Sequence, residues 1–191
     1  MPSGSFDPQK FDDVVSRVRD GEQRAVEELF HELQPRLLRF LRSQENRAAD
    51  DLAAEVWLAV ARGIGRFEGD WDDFRAWIFA IARRRLADHR RTAVRRRTDI
   101  VEAETFDKHL ADDATENEAL DKISGQQAAA LITAVLGGDQ AEVLLLRVLA
   151  DLDVDQVASI MQREPNWVRV TQHRAMRTLA KRLGPKIVVM R

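Results

Sequence analysis

The chain has 191 residues, a length that accommodates one large or two small domains. Its charge is nearly balanced, with 30 Lys and Arg against 32 Asp and Glu. The absence of cysteine excludes disulfides, thiolate zinc sites and a cysteine nucleophile, and the four histidines lack metal-ligand spacing. No apolar run approaches the roughly 20 residues that span a bilayer, and the start has no signal-peptide pattern. We therefore expect a cytoplasmic protein without membrane insertion, metal or cofactor.

Apolar residues recur at helical spacing through the first hundred positions, and strand signals are absent. The pattern predicts a short helix over residues 11–18 and a second over 26–41, in which Pro35 interrupts the helix or starts a new one. A third helix is predicted over 46–64, closed by its glycines. These observations favour an all-α fold.

The third helix begins with carboxylates at Asp50, Asp51 and Glu55. Acidic side chains in a first turn stabilise a helix by offsetting its dipole, which is one complete explanation for them. The alternative is that this acidic surface binds a partner.

The stretch from residue 67 to residue 91 changes character halfway. A short loop over 67–71 leads into a helix whose residues Phe74, Trp77, Ile78 and Ile81 form one apolar stripe. The same helix then turns basic, and only Asp88 opposes the run of Arg83, Arg84, Arg85, His89, Arg90 and Arg91. Since a merely solvated face usually mixes signs, the run favours binding to a polyanion such as a phosphate backbone.

Trp71 allows two interpretations. An aromatic residue in a loop beside an arginine-rich helix is suited to stacking on an unpaired base. The alternative is that Trp71 closes the end of the helical bundle, and the sequence does not decide between them.

A compositional break follows the basic run. From residue 99 to residue 121 the chain carries nine carboxylates against Lys108, with little apolar periodicity. This composition predicts a flexible acidic linker between two domains.

The second half contains the outline of a helix-turn-helix. One helix is predicted to end at Gly137-Gly138, and the next to open with a capping box formed by Asp139 and Glu142. A third begins with Asp153 as its cap and Gln156 three residues on, and a short turn leads to Pro165 at the start of the last helix.

The last helix presents the side chains expected of a helix that reads DNA. Ala158 allows close approach of the two helices, and Val168 packs in the angle between them. Bases and phosphates would meet Arg163, Asn166, Arg169, Gln172, His173, Arg174 and Arg177. Helix pairs with a basic outer face also occur without DNA.

Taken together, these segments resemble a known family. Residues 50–57 (DDLAAEVW), Phe67, residues 74–78 (FRAWI) and residues 88–91 (DHRR) resemble region 2 of bacterial extracytoplasmic-function (ECF) sigma factors of the sigma-70 family. Residues 155–175, from DQVA through WVR to HRA, resemble their region 4. This sequence departs from the family at Ala54, where the family usually has Gln, and at Arg84, where Asn is common.

The resemblance implies an all-α protein with two helical domains, a region 2 bundle and a region 4 helix-turn-helix, joined by a flexible acidic linker. It implies a disordered tail at 1–10, region 2 at 11–95, the linker at 96–118, region 4 at 119–184 and a C-terminal tail at 185–191. The linker would thread through polymerase channels and mimic nucleic acid by its charge.

The resemblance also assigns partners and sites. The protein would be a non-catalytic specificity subunit that binds core RNA polymerase through its β′ and β subunits, binds promoter DNA and is held by an anti-sigma factor. Core polymerase would bind Asp50, Asp51 and Glu55. The −10 element would be bound by Arg66, Phe67, Trp71, Arg83, Arg84, Arg85, His89, Arg90 and Arg91. The −35 element would be bound by Arg163, Asn166, Trp167, Arg169, Gln172, His173, Arg174 and Arg177.

The sequence also bears on two other classes of function. A free-standing helix-turn-helix regulator would bind duplex DNA alone and as a dimer, whereas a sigma factor needs core polymerase. An enzyme finds no support, because the sequence has no glycine-rich phosphate loop and no Ser/His/Asp set.

Overall fold

A computed structural model describes residues 7–98 and 125–183, and every regular element in these two ranges is helical. The elements are α1 (Phe11–Arg19), α2 (Gln23–Gln44), α3 (Ala49–Gly63), α4 (Trp71–Thr98), α5 (Gly125–Val135), α6 (Gly138–Val148), α7 (Val154–Met161) and α8 (Pro165–Leu183). Single 3₁₀ turns occur at Pro8–Lys10, Asn46–Ala48 and Ile64–Arg66. The predicted all-α fold is confirmed.

Helix α2 is longer than predicted. It runs unbroken through Pro35, so the predicted interruption is wrong. Proline removes one backbone N–H from the helix and blocks the carbonyl of His31. Both residues are exposed, so water can satisfy that carbonyl without a break in the helix.

Helices α1 to α4 form the N-terminal unit. Its core contains side chains from α2 and α4 that are fully buried, including Leu33, Leu37, Phe40, Phe74 and Ile78. Burial of a large apolar side chain of this kind stabilises the fold by about 1.5–3 kcal/mol.

Arg17 fastens α1 to α2 by ion pairs. Its guanidinium lies 3.0 Å from Asp13, 3.2 Å from Glu22 and 3.1 Å from Glu28. Its hydrogen bonds to Glu28 and to the other two carboxylates raise the pKa of Arg17 above its usual value. The guanidinium therefore stays charged.

Helices α5 to α8 form the C-terminal unit, around buried residues such as Leu144, Leu146, Val157 and Val168. Helix α6 begins at Gly138 with Gly137 as its cap and no side-chain cap bond, so the predicted capping box of Asp139 and Glu142 is wrong. Gly138 has a φ of 53°, a conformation that glycine adopts without strain.

The two units pack against each other through α4 with α7 and α2 with α5. A 3₁₀ turn at Pro8–Lys10 precedes α1, and α4 continues to Thr98, three residues past the domain bound expected at residue 95. The expected linker from residue 99 onward and the C-terminal tail lie outside the described residues.

Candidate nucleic-acid and polymerase interfaces

A reciprocal cap fixes the start of α4. The carboxylate of Asp70 accepts hydrogen bonds from the backbone N–H groups of Asp72 and Asp73, both at 2.9 Å. Asp73 in turn accepts the N–H of Asp70 at 3.2 Å. The cap places Trp71 in the first position of the helix, so the expectation that it lies in a loop is wrong.

Trp71 belongs to an aromatic cluster at the end of the N-terminal unit. Its ring centroid lies 5.7 Å from that of Phe11 and 6.2 Å from that of Phe74, and only 8% of the residue is exposed. The structure therefore supports the interpretation that Trp71 closes the bundle. Stacking on a base would require the side chain to leave this cluster.

The loop before α4 is held from both sides. The Phe67 ring stacks on Trp77 with centroids 5.2 Å apart, and the Phe67 carbonyl accepts a hydrogen bond from Arg19 at 2.6 Å. A Cβ at Gly63 would lie 2.7 Å from the Trp77 ring, so only glycine permits this close approach. Arg66, beside this loop, is exposed.

The arginines of α4 face different environments. Arg84, Arg90 and Arg91 are exposed, and Arg90 also donates to the side chain of Gln44 at 2.8 Å. Arg91 pairs with Asp88, the one acidic residue of this run, at 3.2 Å.

Other partners of this run come from distant elements. Arg85 lies 3.7 Å from Glu55 on α3, and Arg83 lies 2.9 Å from Glu142 on α6. Carboxylates of α3 and α6 therefore offset part of this positive charge, in addition to Asp88 on α4 itself. His89 is half-buried.

An acidic surface lies on α3. Asp50, Asp51 and Glu55 are all exposed, and Asp50 pairs with Arg42 at 3.2 Å. Leu58, one turn beyond, is 56% exposed, which adds an apolar contact to the same face. The surface has the mixed acidic and apolar character of a protein interface.

The helix-turn-helix geometry is present in α7 and α8. Asp153 and Gln156 form the predicted capping box at the start of α7. Gln162 ends this helix with a φ of 55°, the left-handed conformation that the turn requires and for which glycine is better suited. Ala158 and Val168 are buried between the two helices, as expected.

The outer face of α8 is polar and basic. The exposed predicted residues are Arg163, Asn166, Arg169, His173, Arg174 and Arg177. Trp167 is half-buried beneath the guanidinium of Arg163, which lies 5.2 Å from the ring centroid. Gln172 is also half-buried and accepts a hydrogen bond from Arg147 at 3.3 Å. Six of the eight predicted side chains thus share one solvent-facing surface.

The fold and these surfaces define an all-helical protein with a basic helix in each of two units, one of them in a helix-turn-helix. The family model of Sigma-70 region 2 matches residues 29–96 of this chain. In all the residues that the structure describes, no helix is long and apolar enough to cross a membrane.

Comparison with known proteins extends this assignment to nearly the whole chain. The ECF RNA polymerase sigma factor BldN of Streptomyces coelicolor is 32% identical over 95% of this chain and 69% of its own length. The ECF sigma factor SigD of Mycobacterium tuberculosis is 30% identical over 93% of this chain and 86% of its own length.

Two solved structures share the fold. The sigma factor RpoE from Bartonella quintana, in complex with the anti-sigma factor NepR, superimposes with a TM-score of 0.64 at 22% identity, covering 84% of this chain and 99% of that one. CnrH, in complex with the cytosolic domain of CnrY, gives a TM-score of 0.61 at 19% identity, covering 91% of this chain and 96% of that one.

The chain belongs to the ECF sigma factors of the sigma-70 family. It is a sigma factor that binds core RNA polymerase and directs transcription initiation at promoters.

Proposed function

We propose that this protein acts as a non-catalytic specificity subunit in the cytoplasm, with its two DNA contacts divided between α4 and α8. The observation that carries the proposal is the exposed face of α8, where Asn166, Arg169, His173 and Arg177 recur at helical spacing. Such a face fits the major groove, where arginine and asparagine make bidentate bonds to base edges.

Region 4 is proposed to begin within the acidic segment and to end near residue 184. Within it, Arg163, Arg174 and Arg177 are suited to phosphate contacts, because guanidinium groups bind phosphate oxygens bidentately. Arg169 and Asn166 lie near the start of α8, the part of a recognition helix that contacts base edges. Trp167 orients the guanidinium of Arg163, which lies over its ring. Gln172 is itself held by a hydrogen bond from Arg147.

Region 2 is proposed to hold one strand of the opened −10 element. Arg84, Arg90 and Arg91 are exposed and can bind its phosphates directly. Arg83, Arg85 and His89 lie on the same helix. Arg83 would bind the same phosphates after release from Glu142, and Arg85 after release from Glu55, with His89 beside them. Arg66 and Phe67 would meet a flipped base at the loop, while Trp71 supports that loop from within the core.

The acidic face of α3 is proposed to bind core polymerase. Asp50, Asp51 and Glu55 are exposed together, and the exposed Leu58 can be buried when a partner covers the face. Charged contacts of this kind steer association and set specificity more than they add affinity.

An anti-sigma factor is a further proposed partner. The two structures with the same fold were determined as complexes, one of them named as a complex with the anti-sigma factor NepR. A pull-down from the native cell tests for such a partner, and recovery of core polymerase without another stoichiometric protein would contradict it.

Run-off transcription with purified core enzyme tests the function. Addition of the protein should produce defined transcripts from promoters of its own genome, and core enzyme alone should not. If the protein instead bound duplex sites as a dimer and directed no initiation, the helix-turn-helix regulator would be the better description.

A further inference from the structure

An exposed valine lies among the polar and basic side chains of α8. Val170 is 40% exposed, whereas its neighbours Val168 and Thr171 are buried, at 0% and 7%. The core of the C-terminal unit therefore takes those two side chains and leaves Val170 outside. An isolated apolar residue is ordinary on a protein surface, so the exposure by itself assigns Val170 no role.

The position of Val170 on the helix is more specific. Asn166 precedes it by four positions, and His173 and Arg174 follow it by three and four positions; all three are exposed. Residues at these spacings are neighbours on the surface of a helix. Val170 therefore lies inside the polar face of α8 that is proposed to read DNA, although it is absent from the residues that the sequence assigned to the −35 element.

Helix stability does not account for a valine at this position. A β-branched side chain is a poorer helix former than alanine, arginine or lysine, and at an exposed site packing does not decide the choice. Val170 falls within the first two turns of α8, which begins at Pro165. The start of a recognition helix is the part that contacts base edges. A contact between Val170 and an apolar group of the DNA would explain the residue type.

Thymine offers such a group in the major groove. Its edge carries the C5 methyl, whereas adenine, guanine and cytosine present hydrogen-bonding groups there. A valine side chain against those groups would remove water from them without replacing its hydrogen bonds, which is unfavourable. Against the thymine methyl, the same side chain buries apolar surface on both partners.

We propose that Val170 is a specificity-determining residue, which packs on the C5 methyl of a thymine in the −35 element. This inference rests on the proposed function, because it requires α8 to lie in the major groove. It adds an apolar contact to a face whose arginines and asparagine select bases by hydrogen bonds.

The charges around Val170 favour DNA over a protein as the partner that covers it. Arg169, Arg174 and Arg177 are all exposed on the same helix. Phosphates flank the groove on both sides and bind such cations, so a duplex can satisfy the arginines while a base edge meets the valine.

The test removes a single methyl group from the DNA. The probe is a promoter duplex identified by run-off transcription, prepared as a series in which one thymine of the −35 element at a time is replaced by deoxyuridine. The replacement keeps every hydrogen-bonding group of the base. Holoenzyme assembled from core polymerase and this protein is titrated onto each duplex. At one position the affinity should fall about fourfold, the factor for loss of one buried methyl group at about 0.8 kcal/mol.

A substitution in the protein completes the cycle. Val170→Ala should bind the thymine duplex about fourfold more weakly than wild type and should lose nothing more with deoxyuridine at that position. Val148→Ala is the matched control, because Val148 is a 37% exposed valine on α6, outside the helix-turn-helix. It should retain the full response to deoxyuridine. Both variants should unfold at the wild-type Tm, since neither residue belongs to the buried core.

The outcomes separate the role of Val170 from the proposed function. Wild-type holoenzyme that responds to none of the deoxyuridine replacements would overturn the thymine contact, as would a −35 element without any A·T pair. A Val170→Ala variant that responds to deoxyuridine as strongly as wild type would show that another residue meets the methyl. Failure of the proposed function would appear instead as a wild-type protein that directs no run-off transcripts.

Discussion

Replacement of Trp71 by alanine distinguishes a packing residue from a base-stacking residue. Trp71 is 8% exposed and contacts Phe11 and Phe74, so truncation would leave a cavity among aromatic rings. Tryptophan-to-alanine substitutions in a core cost about 3–5 kcal/mol. Since this ring lies at the end of the bundle, we expect the lower value, about 3 kcal/mol.

The assay is urea unfolding followed by far-ultraviolet circular dichroism, which does not depend on tryptophan fluorescence. A loss of about 3 kcal/mol should also lower the Tm by roughly 6–12 °C for a protein of this size. Trp71→Phe is the control, because it keeps most of the buried apolar surface and should cost less than half as much. A change in the free energy of unfolding below about 1 kcal/mol for Trp71→Ala would refute the packing argument.

Three further substitutions test the other surfaces. Asp51→Arg should weaken binding to core polymerase at unchanged Tm, whereas Asp12→Arg should not; equal affinities in a pull-down titration would remove α3 from the interface. Arg169→Glu should weaken binding to −35 duplex by about 5- to 150-fold, as expected for loss of a contact of about 1–3 kcal/mol, and unchanged binding in fluorescence anisotropy would exclude it as an important contact. Gly63→Val should destabilise the fold by about 1–3 kcal/mol through its clash with Trp77, and an unchanged urea midpoint would show that the ring yields freely.

Local patterns predicted the helices well. The spacing of Asp153 and Gln156 predicts their capping box, because both partners belong to one turn. Pro165 likewise marked the start of α8. Periodicity located the apolar face of α4, including Phe74 and Ile78, since a helix brings residues three and four apart onto one side.

Local patterns failed where two assignments competed. Asp139 and Glu142 have the spacing of a capping box, yet Gly137 takes the cap position, and Glu142 instead pairs with Arg83. Asp70 and Asp73 also have the spacing of a helix cap, which the assignment of residues 67–71 to a loop leaves out. A cap at Asp70 puts Trp71 at the first position of the helix, where the structure has it.

The contacts between the units could not have been predicted from the sequence. Arg75 and Asp151 are 76 positions apart, and the acidic segment between the units gives no register for their docking. Each residue alone resembles an ordinary surface charge. Only the packing of α4 against α7 shows that one guanidinium is nearly buried and already paired.

The unbroken course of α4 has a consequence for what this protein can tolerate. Its 28 residues form a rod about 42 Å long, which joins the aromatic anchor at Trp71 rigidly to the arginines beyond Ala82. One inserted or deleted residue between them would turn the arginines by about 100° away from their present direction, at any choice of amino acid. In this helix a substitution changes the strength of one contact, whereas a change in length turns all of the arginines away from their binding direction at once.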